Sequence, residues 1–464
     1  MKRAKTAMML GLSAATLGAL ALAMGSGEAE AQRLDPRRPN TIVVGSPRGG
    51  MPMQRVDAHR SGLAKTPLPA GPLRIVWRKS TGLSLDQPAL AAADGTLAVI
   101  SGRGDVTYLD ENGDEKATIR VGASQIGPAA MTSDGTIVFL TSSGDAMGVR
   151  RGAAGQQTRF TTRIGGERNP RAAPLSLDDG GVALATLTDL IVLDSEGNVR
   201  ARATLPPDPR LPLPEHVAAP LLASGDKILA ITANGTVYGW TPGREPLRVG
   251  SFGAPVDNGA ALTTSGSLVG IIETNHLAEV DIAHGTRSTW SIAPQGLYLG
   301  PPAVRDLPGG ASLATIGALT HTRGFVLAID ASGQELLRAP VAAFVPTPLP
   351  DGGMPPLQAP PHVGAIVDSR GGIAFATTDG RIGTIAPDGA LDTLSETFCT
   401  KTTVRSGVVG LTPFGPNAFA VTCDGGLVVR VAGTSGTAAP LPSSAPKPAP
   451  SGSSAPESDK LRRH

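Results

Sequence analysis

One module is repeated eight times along this chain of 464 residues. Each copy has an apolar run that begins with small residues or proline, a turn rich in glycine or aspartate, and a second apolar run. A polar hairpin, a third apolar run and a closing turn that ends in glycine complete the copy. The second copy shows the pattern over residues 127–131, 133–135 and 136–140. A unit of this kind cannot bury its own faces, so it must stack against its neighbours.

The residues that open the third run give the period of the repeat. Successive markers lie between 40 and 56 residues apart, close to the roughly 40 to 50 residues of a four-stranded propeller blade. The longest interval contains a proline-rich excursion over residues 343–361, which the interior of a sheet would not accept. The markers are Gly104, Gly144, Thr188, Gly235, Asn275, Gly324, Gly380 and Gly425.

These features predict an all-β propeller of eight four-stranded blades over residues 71–433, with seven blades as the fallback if the sixth or seventh unit is wrongly divided. A more polar fourth run follows seven of the third runs and should form the exposed outer strand of each blade. The eighth third run, residues 427–431, has no such continuation, whereas residues 73–78 form an apolar run before the first module. We therefore expect this N-terminal strand to pair into the last blade and close the ring.

The two ends of the sequence differ from the repeat. Residues 1–31 combine a basic start, an apolar stretch and a site of small residues before Gln32, as in a cleavable signal peptide; a membrane anchor is the alternative. Residues 32–70 are interpreted as an extended leader laid on the surface or left mobile, and residues 434–464 as a disordered tail rich in proline, serine and alanine. We expect a periplasmic or secreted protein, since no cysteine suited to lipid attachment follows the signal.

Charge and cysteine content narrow the function further. The formal net charge is only +2, so no clustered basic face for nucleic acid is predicted. The only two cysteines, Cys399 and Cys423, should follow a fourth strand and a second strand that open on the same face. In an oxidising compartment this favours a disulfide, with two buried free thiols as the alternative.

The pattern resembles the repeat of pyrroloquinoline-quinone-type propellers, which is shared by quinoprotein alcohol dehydrogenases and the non-enzymatic outer-membrane assembly factor B family. The leader over residues 53–62 is also similar to the opening segment of such exported propellers. The matching segments are the small-Pro first strands at residues 127–128, 173–174 and 219–220, the Asp-Gly-Thr turns at 94–96 and 134–136, and the third strand at 104–110.

The departures from that family favour a protein without its chemistry. The enzymes use adjacent cysteines beside the quinone and a set of carboxylate and amide ligands around calcium, and neither set can be aligned here. Only Trp77 and Trp290 occupy the place of the family's docking tryptophan, and Trp240 lies in a turn. We therefore predict no catalytic, cofactor or metal site, and a monomeric scaffold that binds a protein or an envelope component. A quinone-dependent dehydrogenase or a carbohydrate-active propeller enzyme is the alternative.

One polar residue precedes the first strand of each module at a similar register. In a propeller these positions surround the mouth of the central channel, where ligands and partner segments commonly bind, so they form a candidate binding ring. Ordinary polar loop residues are the alternative interpretation. The eight residues are Gln87, Gln125, Arg171, His216, Asn258, Tyr298, His362 and Arg405.

Overall fold

The structure is a computed structural model of the chain. It describes residues 56–434 except 153–154, 168, 208–214, 291–295, 307–311, 321–322, 331–332, 342–363, 377–379, 397–398 and 400–406. The predicted signal peptide, the proline-rich excursion and residues 435–464 of the predicted tail lie outside the described residues. Within that described part, every regular element is a β-strand, and no helix long and apolar enough to cross a bilayer is found.

The described strands form eight sheets, and the first four follow one another along the chain. Sheet 1 contains β3 (Leu90–Ala91), β4 (Leu97–Ile100), β5 (Val106–Leu109) and β6 (Glu115–Ile119). Sheet 2 contains β7 (Gln125–Met131), β8 (Ile137–Thr141), β9 (Asp145–Gly152) and β10 (Gly155–Arg163). Sheet 3 contains β11 (Leu175–Ser176), β12 (Val182–Ala185), β13 (Asp189–Leu193) and β14 (Val199–Thr204). Sheet 4 contains β15 (Leu222–Ser224), β16 (Lys227–Ile231), β17 (Thr236–Trp240) and β18 (Leu247–Ser251).

The remaining sheets continue the series, and the last two each recruit a strand from before the first module. Sheet 5 contains β19 (Val256–Leu262), β20 (Ser267–Ile272), β21 (His276–Asp281) and β22 (Thr286–Trp290). Sheet 6 contains β23 (Gly296–Asp306), β24 (Ser312–Thr320), β25 (Arg323–Asp330) and β26 (Glu335–Val341). Sheet 7 contains β27 (Ile366–Asp368), β28 (Ile373–Ala376), β29 (Ile382–Ile385), β30 (Leu391–Thr393) and the added β1 (Leu63–Ala64). Sheet 8 contains β31 (Val408–Pro413), β32 (Ala418–Cys423), β33 (Leu427–Gly433) and the added β2 (Leu73–Ser80).

The Asp-Gly-Thr turns explain how the first two modules begin their second strands. Asp134 Oδ1 accepts hydrogen bonds from the Thr136 N–H at 3.0 Å and from Thr132 Oγ1 at 2.6 Å. Gly135 has a φ of 82°, a left-handed conformation that glycine adopts without steric cost. In sheet 1, Asp94 Oδ1 likewise accepts from the Thr96 N–H at 3.0 Å, but its hydroxyl donor is Thr96 Oγ1 of the same turn, at 2.6 Å. The repeated triplet therefore encodes a repeated turn.

Burial follows the order of strands within a sheet. Every residue of β8 and β17 is buried, whereas β18 has two exposed residues, two of intermediate exposure and one that is buried. Consecutive sheets share apolar cores, and one cluster joins sheet 7, sheet 8 and sheet 1, with Val421 and Leu97 among its members. The architecture is therefore a β-propeller of four-stranded blades, with strands exposed at the outer edge and apolar faces stacked between blades.

Sheet 8 joins the beginning of the repeat region to its end. β2 pairs antiparallel with β33 from Leu73 opposite Gly433 to Ser80 opposite Leu427. The predicted pairing of the N-terminal strand into the last sheet is thus present, and it leaves β33 with hydrogen-bonded neighbours on both sides.

Candidate functional site

The described part of the leader lies inside the structure. Val56, Ala58, Ala64 and Leu68 are almost fully buried, whereas residues 65–67 are exposed, so this part of the leader packs against the sheets over most of its length. We call residues 56–68 the inner leader. A composition of Pro, Gly and Arg could not show what the leader packs against, nor that it contains the short strand β1.

The inner leader bonds to the first strands of four consecutive sheets. The backbone N–H groups of Ala223, Leu262, Val304 and Val367 donate to the carbonyls of Ala58, His59, Ser61 and Gly62, at 2.8, 2.8, 2.7 and 2.9 Å respectively. These donors belong to β15, β19, β23 and β27 in that order. β1 then continues parallel to β27, with Leu63 opposite Val367.

These bonds locate the inner wall of the ring. Five residues of chain span at most about 17 Å, yet residues 58–62 reach four different sheets. The first strands of those sheets must therefore converge around the inner leader. A first strand has a free edge toward the axis, and unpaired N–H groups on such an edge need acceptors. The leader carbonyls supply them.

Arg60 anchors the inner leader from its side chain. Only 1% of Arg60 is exposed, and its guanidinium donates to the carbonyls of Leu221 at 3.0 Å and Pro174 at 2.5 Å. It therefore ties the leader to the entrances of β15 and β11. Its φ of 52° is left-handed, and a local turn holds it there, because the Arg60 N–H donates to the Asp57 carbonyl at 3.0 Å.

A buried carboxylate fixes the other end of the inner leader. Asp368 is fully buried at the end of β27, and its Oδ2 accepts from the Leu68 N–H at 2.8 Å. Its Oδ1 accepts from the N–H groups of Arg370 and Gly372 at 2.9 and 2.8 Å. Arg370 Nη2 also donates to the Leu68 carbonyl at 3.1 Å. The same carboxylate therefore shapes the turn after β27 and holds the leader against it.

The predicted channel-mouth ring is only partly described. Gln87 is 4% exposed, and its Oε1 accepts from the Ala129 N–H at 2.5 Å, so it joins sheet 1 to sheet 2. Gln125 is half-buried and donates to its neighbour Gly127. Arg171 is exposed and His216 is half-buried.

The remaining members of that ring cannot be placed in a common site. Asn258 lies in β19 and Tyr298 in β23, but their side chains are outside the described residues. His362 and Arg405 are outside them altogether. Gln87 thus has a structural partner, and binding by the ring as a set stays a prediction.

Aromatic residues hold neighbouring sheets together where the sequence predicted few tryptophans. Trp77 of β2 covers Gly113 in the closing turn of sheet 1, where an added Cβ would lie 2.7 Å from the indole. Its Nε1–H donates to the Glu111 carbonyl at 2.8 Å. Phe160 of β10 covers Gly197 of sheet 3 in the same way. The side chain of Trp290 is not described, and Trp240 is buried at the end of β17.

Sequence reasoning missed Phe160 because it searched the docking position for tryptophan. An aromatic residue of any kind in the fourth run, followed in the next module by a glycine in the closing turn, would have been the better signal.

Cys399 and Cys423 meet at the junction of sheets 7 and 8. Cys399 follows β30, Cys423 ends β32, and their Cα atoms lie 5.4 Å apart in a disulfide arrangement. Both residues are buried. Cys423 is the last residue of the second strand rather than a residue after it, and a bond to Cys399 would tie the two sheets together.

Comparison with known proteins supports the fold. No protein-family model and no curated protein matches the sequence. The structure is similar to BamB from Moraxella catarrhalis, with 17% identity, a TM-score of 0.51, and coverage of 78% of this chain and 97% of that one. It is also similar to the quinohemoprotein alcohol dehydrogenase from Comamonas testosteroni, with 11% identity, a TM-score of 0.58, and coverage of 83% and 80%.

A computationally designed protein, Ika8, has 15% identity and a TM-score of 0.51, with coverage of 76% of this chain and 99% of the design. A designed protein thus shares the architecture with natural ones. At these identities the likeness concerns the arrangement of strands alone. The chain therefore has the β-propeller fold found in BamB and in the quinohemoprotein alcohol dehydrogenases.

Proposed function

We propose that this protein is an exported, non-catalytic β-propeller scaffold that binds a protein or a cell-envelope component through one face of the ring. The observation that carries the proposal is the inner leader, which occupies the free edges of four first strands. Ligands of propellers commonly enter at the axis, and here the chain's own backbone takes that place along one arc. The two faces and the outer strands are left as binding surface.

The residues do not fit the quinone and calcium site that the fold family implies. The two cysteines are 24 residues apart in the sequence, with their Cα atoms 5.4 Å from each other, whereas the enzymes place adjacent cysteines beside the quinone. Within the described ranges, no group of three His, Cys, Asp or Glu side chains converges. The dehydrogenase alternative therefore draws support from fold likeness only.

We also propose that the eight described sheets are eight blades of one closed ring. Direct bonds between the last and first sheets favour closure, because the Ala89 N–H donates to Thr422 Oγ1 at 3.1 Å and Thr412 Oγ1 donates to the Ala89 carbonyl at 2.7 Å. A crystal structure showing seven radial sheets would contradict the count.

Export would follow from cleavage before Gln32, which mass spectrometry of the mature protein would check.

The experiment that tests the scaffold proposal is a cross-linked pull-down from envelope extract with the tagged mature chain. We expect a specific protein or envelope component to be captured by the native chain and lost on heat denaturation. A parallel assay supplies pyrroloquinoline quinone, calcium and an electron-accepting dye with simple alcohols. Dye reduction dependent on the protein would overturn the non-catalytic proposal.

A further inference from the structure

A cavity of about 470 Å³ opens at the contact between sheets 1 and 2, next to a shallower cleft of about 650 Å³ that shares Asp94, Thr96 and Arg151 with it. We call the first the seam cavity. Its volume lies within the roughly 300 to 1,000 Å³ of small-molecule sites. Its wall includes Asp94, Tyr108, Met131, Asp134, Arg150 and Arg151.

Two arginine–aspartate pairs form the polar wall of the seam cavity. Arg151 Nη2 lies 3.0 Å from Asp94 Oδ2, and Arg150 Nη1 lies 2.8 Å from Asp134 Oδ2. Arg150 and Arg151 come from β9, which with β10 is among the longer strands of the ring. The first pair therefore crosses from sheet 2 to sheet 1.

Hydrogen bonds within their own turns fix the orientation of both aspartate carboxylates. Asp94 Oδ1 is bonded to Thr96 and Asp134 Oδ1 to Thr132 and Thr136, so only the Oδ2 atoms face the arginines. Burial opposes ionisation of both groups, but the hydrogen bonds from the neighbouring threonines and the charges of Arg151 and Arg150 hold their pKa values below the usual value. Both carboxylates are therefore ionised at neutral pH.

Tyr108 supplies an observation that points to a ligand. Only 3% of the residue is exposed, and its hydroxyl makes no hydrogen bond of normal geometry, although the Arg151 backbone N–H approaches it. The Arg151 guanidinium lies 5.5 Å from its ring centroid, which places the tyrosine against the polar wall. A buried hydroxyl without a well-formed hydrogen bond costs free energy, and Tyr108 belongs to the wall of the cavity.

The charges of the wall select the class of ligand. The charges of the two carboxylates and the two guanidiniums cancel. An anion that bound an arginine would leave its aspartate without a counter-charge, and a cation that bound an aspartate would leave its arginine without one. A neutral molecule with several hydroxyls breaks neither pair. It can donate to free carboxylate lone pairs, accept from free guanidinium N–H groups, and bond to the Tyr108 hydroxyl. Met131 and Ala91 offer apolar contact to carbon–hydrogen faces.

We propose that the seam cavity binds a neutral sugar, with Arg151 and Asp94 gripping neighbouring hydroxyls and Tyr108 completing the contact. This site is separate from the channel-mouth ring and from the inner leader. It stands whether or not the ring's partner is a protein, since the residues that form it belong to sheets 1 and 2 alone.

The test is ligand-observed NMR and calorimetry on the full mature chain with glucose, galactose, N-acetylglucosamine and their disaccharides. Glucuronate and glucosamine serve as charged comparators. We expect at least one neutral sugar to bind more tightly than either comparator. Failure of every neutral sugar to bind below about 10 mM, or tighter binding of a charged comparator, would overturn the proposal.

Tyr108→Phe separates binding from folding. The variant should weaken sugar binding roughly five- to tenfold, as expected for loss of one hydrogen bond, while its Tm without sugar stays equal or rises because a buried hydroxyl without a well-formed hydrogen bond has been removed. The matched control is Tyr238→Phe, which changes a buried tyrosine of β17 in sheet 4 and should leave binding unchanged. Arg151→Lys should also weaken binding, because lysine cannot offer a planar pair of donors. Unaltered affinity in Tyr108→Phe would refute the site.

Discussion

Two arcs of the ring satisfy their inner strands by different means. In the leader arc, sheets 4 to 7, the donors on the first strands bond to backbone carbonyls of a segment distant in sequence. In the side-chain arc, sheets 8, 1 and 2, the side chains of Thr412, Thr422 and Gln87 bond directly to the neighbouring sheet. The same requirement for hydrogen-bond partners is thus met once by a separate strand of chain and once by residues within the module.

The difference teaches that the modules of the leader arc need not encode polar links to their neighbours. A backbone carbonyl is present whatever the side chain, so the modules can diverge there without losing the bond. The side-chain arc depends instead on three particular residues. Each prediction below removes one means of connection.

Removal of residues 32–68 should have the largest effect. Four inner-strand N–H groups lose their acceptors and the buried Val56 and Leu68 are removed, so we expect the free energy of unfolding to fall by about 5 kcal/mol. Urea unfolding measures the loss, and hydrogen exchange should quicken at Ala223, Leu262, Val304 and Val367. A chain lacking only residues 32–55 keeps the inner leader and is the control. An unchanged urea midpoint would mean that the leader contributes nothing to the arc.

Loss of the disulfide should rank second, because it bridges the two arcs at sheets 7 and 8. Replacing Cys399 and Cys423 together by serine should cost about 3 kcal/mol for a loop of 24 residues. Thermal unfolding of the double variant, compared with the oxidised parent, measures this. Two free thiols in non-reducing mass spectrometry of the parent would contradict the bond itself.

Arg60→Met should destabilise sheets 3 and 4 and leave the side-chain arc unchanged. The substitution keeps most of the side-chain volume and removes the donors to Leu221 and Pro174, which we expect to cost about 2 kcal/mol. Hydrogen exchange should quicken in sheets 3 and 4 and stay unchanged in sheet 8. Arg60→Lys retains the charge without the planar donors, so its stability should lie between that of the parent and that of Arg60→Met. Uniform acceleration around the ring would show that the arcs are not separable.

Thr412→Val gives the corresponding test of the side-chain arc. Thr412 is fully buried, and the variant leaves the Ala89 carbonyl without its donor, so a loss of about 1 kcal/mol is expected. Thr412→Ser keeps the hydroxyl and is the control. Exchange should quicken in sheets 8 and 1, and protection lost first in sheets 4 to 7 would contradict the division.

The smallest effect concerns the outside of the leader arc. Asp281 Oδ2 lies 2.7 Å from His284 Nδ1, and its hydrogen bond and charge raise the pKa of His284 above 6.5. A raised pKa contributes stability below the unfolded-state value that is lost as pH rises through the folded-state value. The pair lies at the surface, where solvent screens it, so Asp281→Asn should lower the pKa of His284 in an NMR titration and leave the Tm unchanged. A marked drop in Tm would show that the outer turns also support the arc.

Much of the fold followed from the sequence because it depends on local chemistry. Asp134, Gly135 and Thr136 specify a turn by themselves, and alternating apolar runs specify strands. Counting outer strands was enough to assign residues 73–78 to the last sheet, where the structure has a strand over Leu73–Ser80. The partial match of Cys399 and Cys423 to strand ends came from the same register.

The inner leader and the seam cavity could not be found in this way. The leader bonds through its backbone carbonyls, and since every residue has one, these bonds produce no pattern in the sequence. Among its polar residues, the buried Arg60 distinguishes it from a solvated loop. The position of Gln87 in its module predicted a channel residue. The sequence could not show that the Ala129 N–H of sheet 2 donates to its side chain. The burial of the Tyr108 hydroxyl depends on packing between two modules, which one module cannot reveal.

The order of elements along the chain sets a condition on assembly. The inner leader and β2 both come before the first module, while β33, the partner of β2, comes after the last one. A segment enclosed by a closed ring cannot be threaded into it afterwards. We therefore expect the sheets to fold around the inner leader before the ring closes. The pairing of β2 with β33 would then be the last step of assembly, and it would enclose the inner leader within the ring.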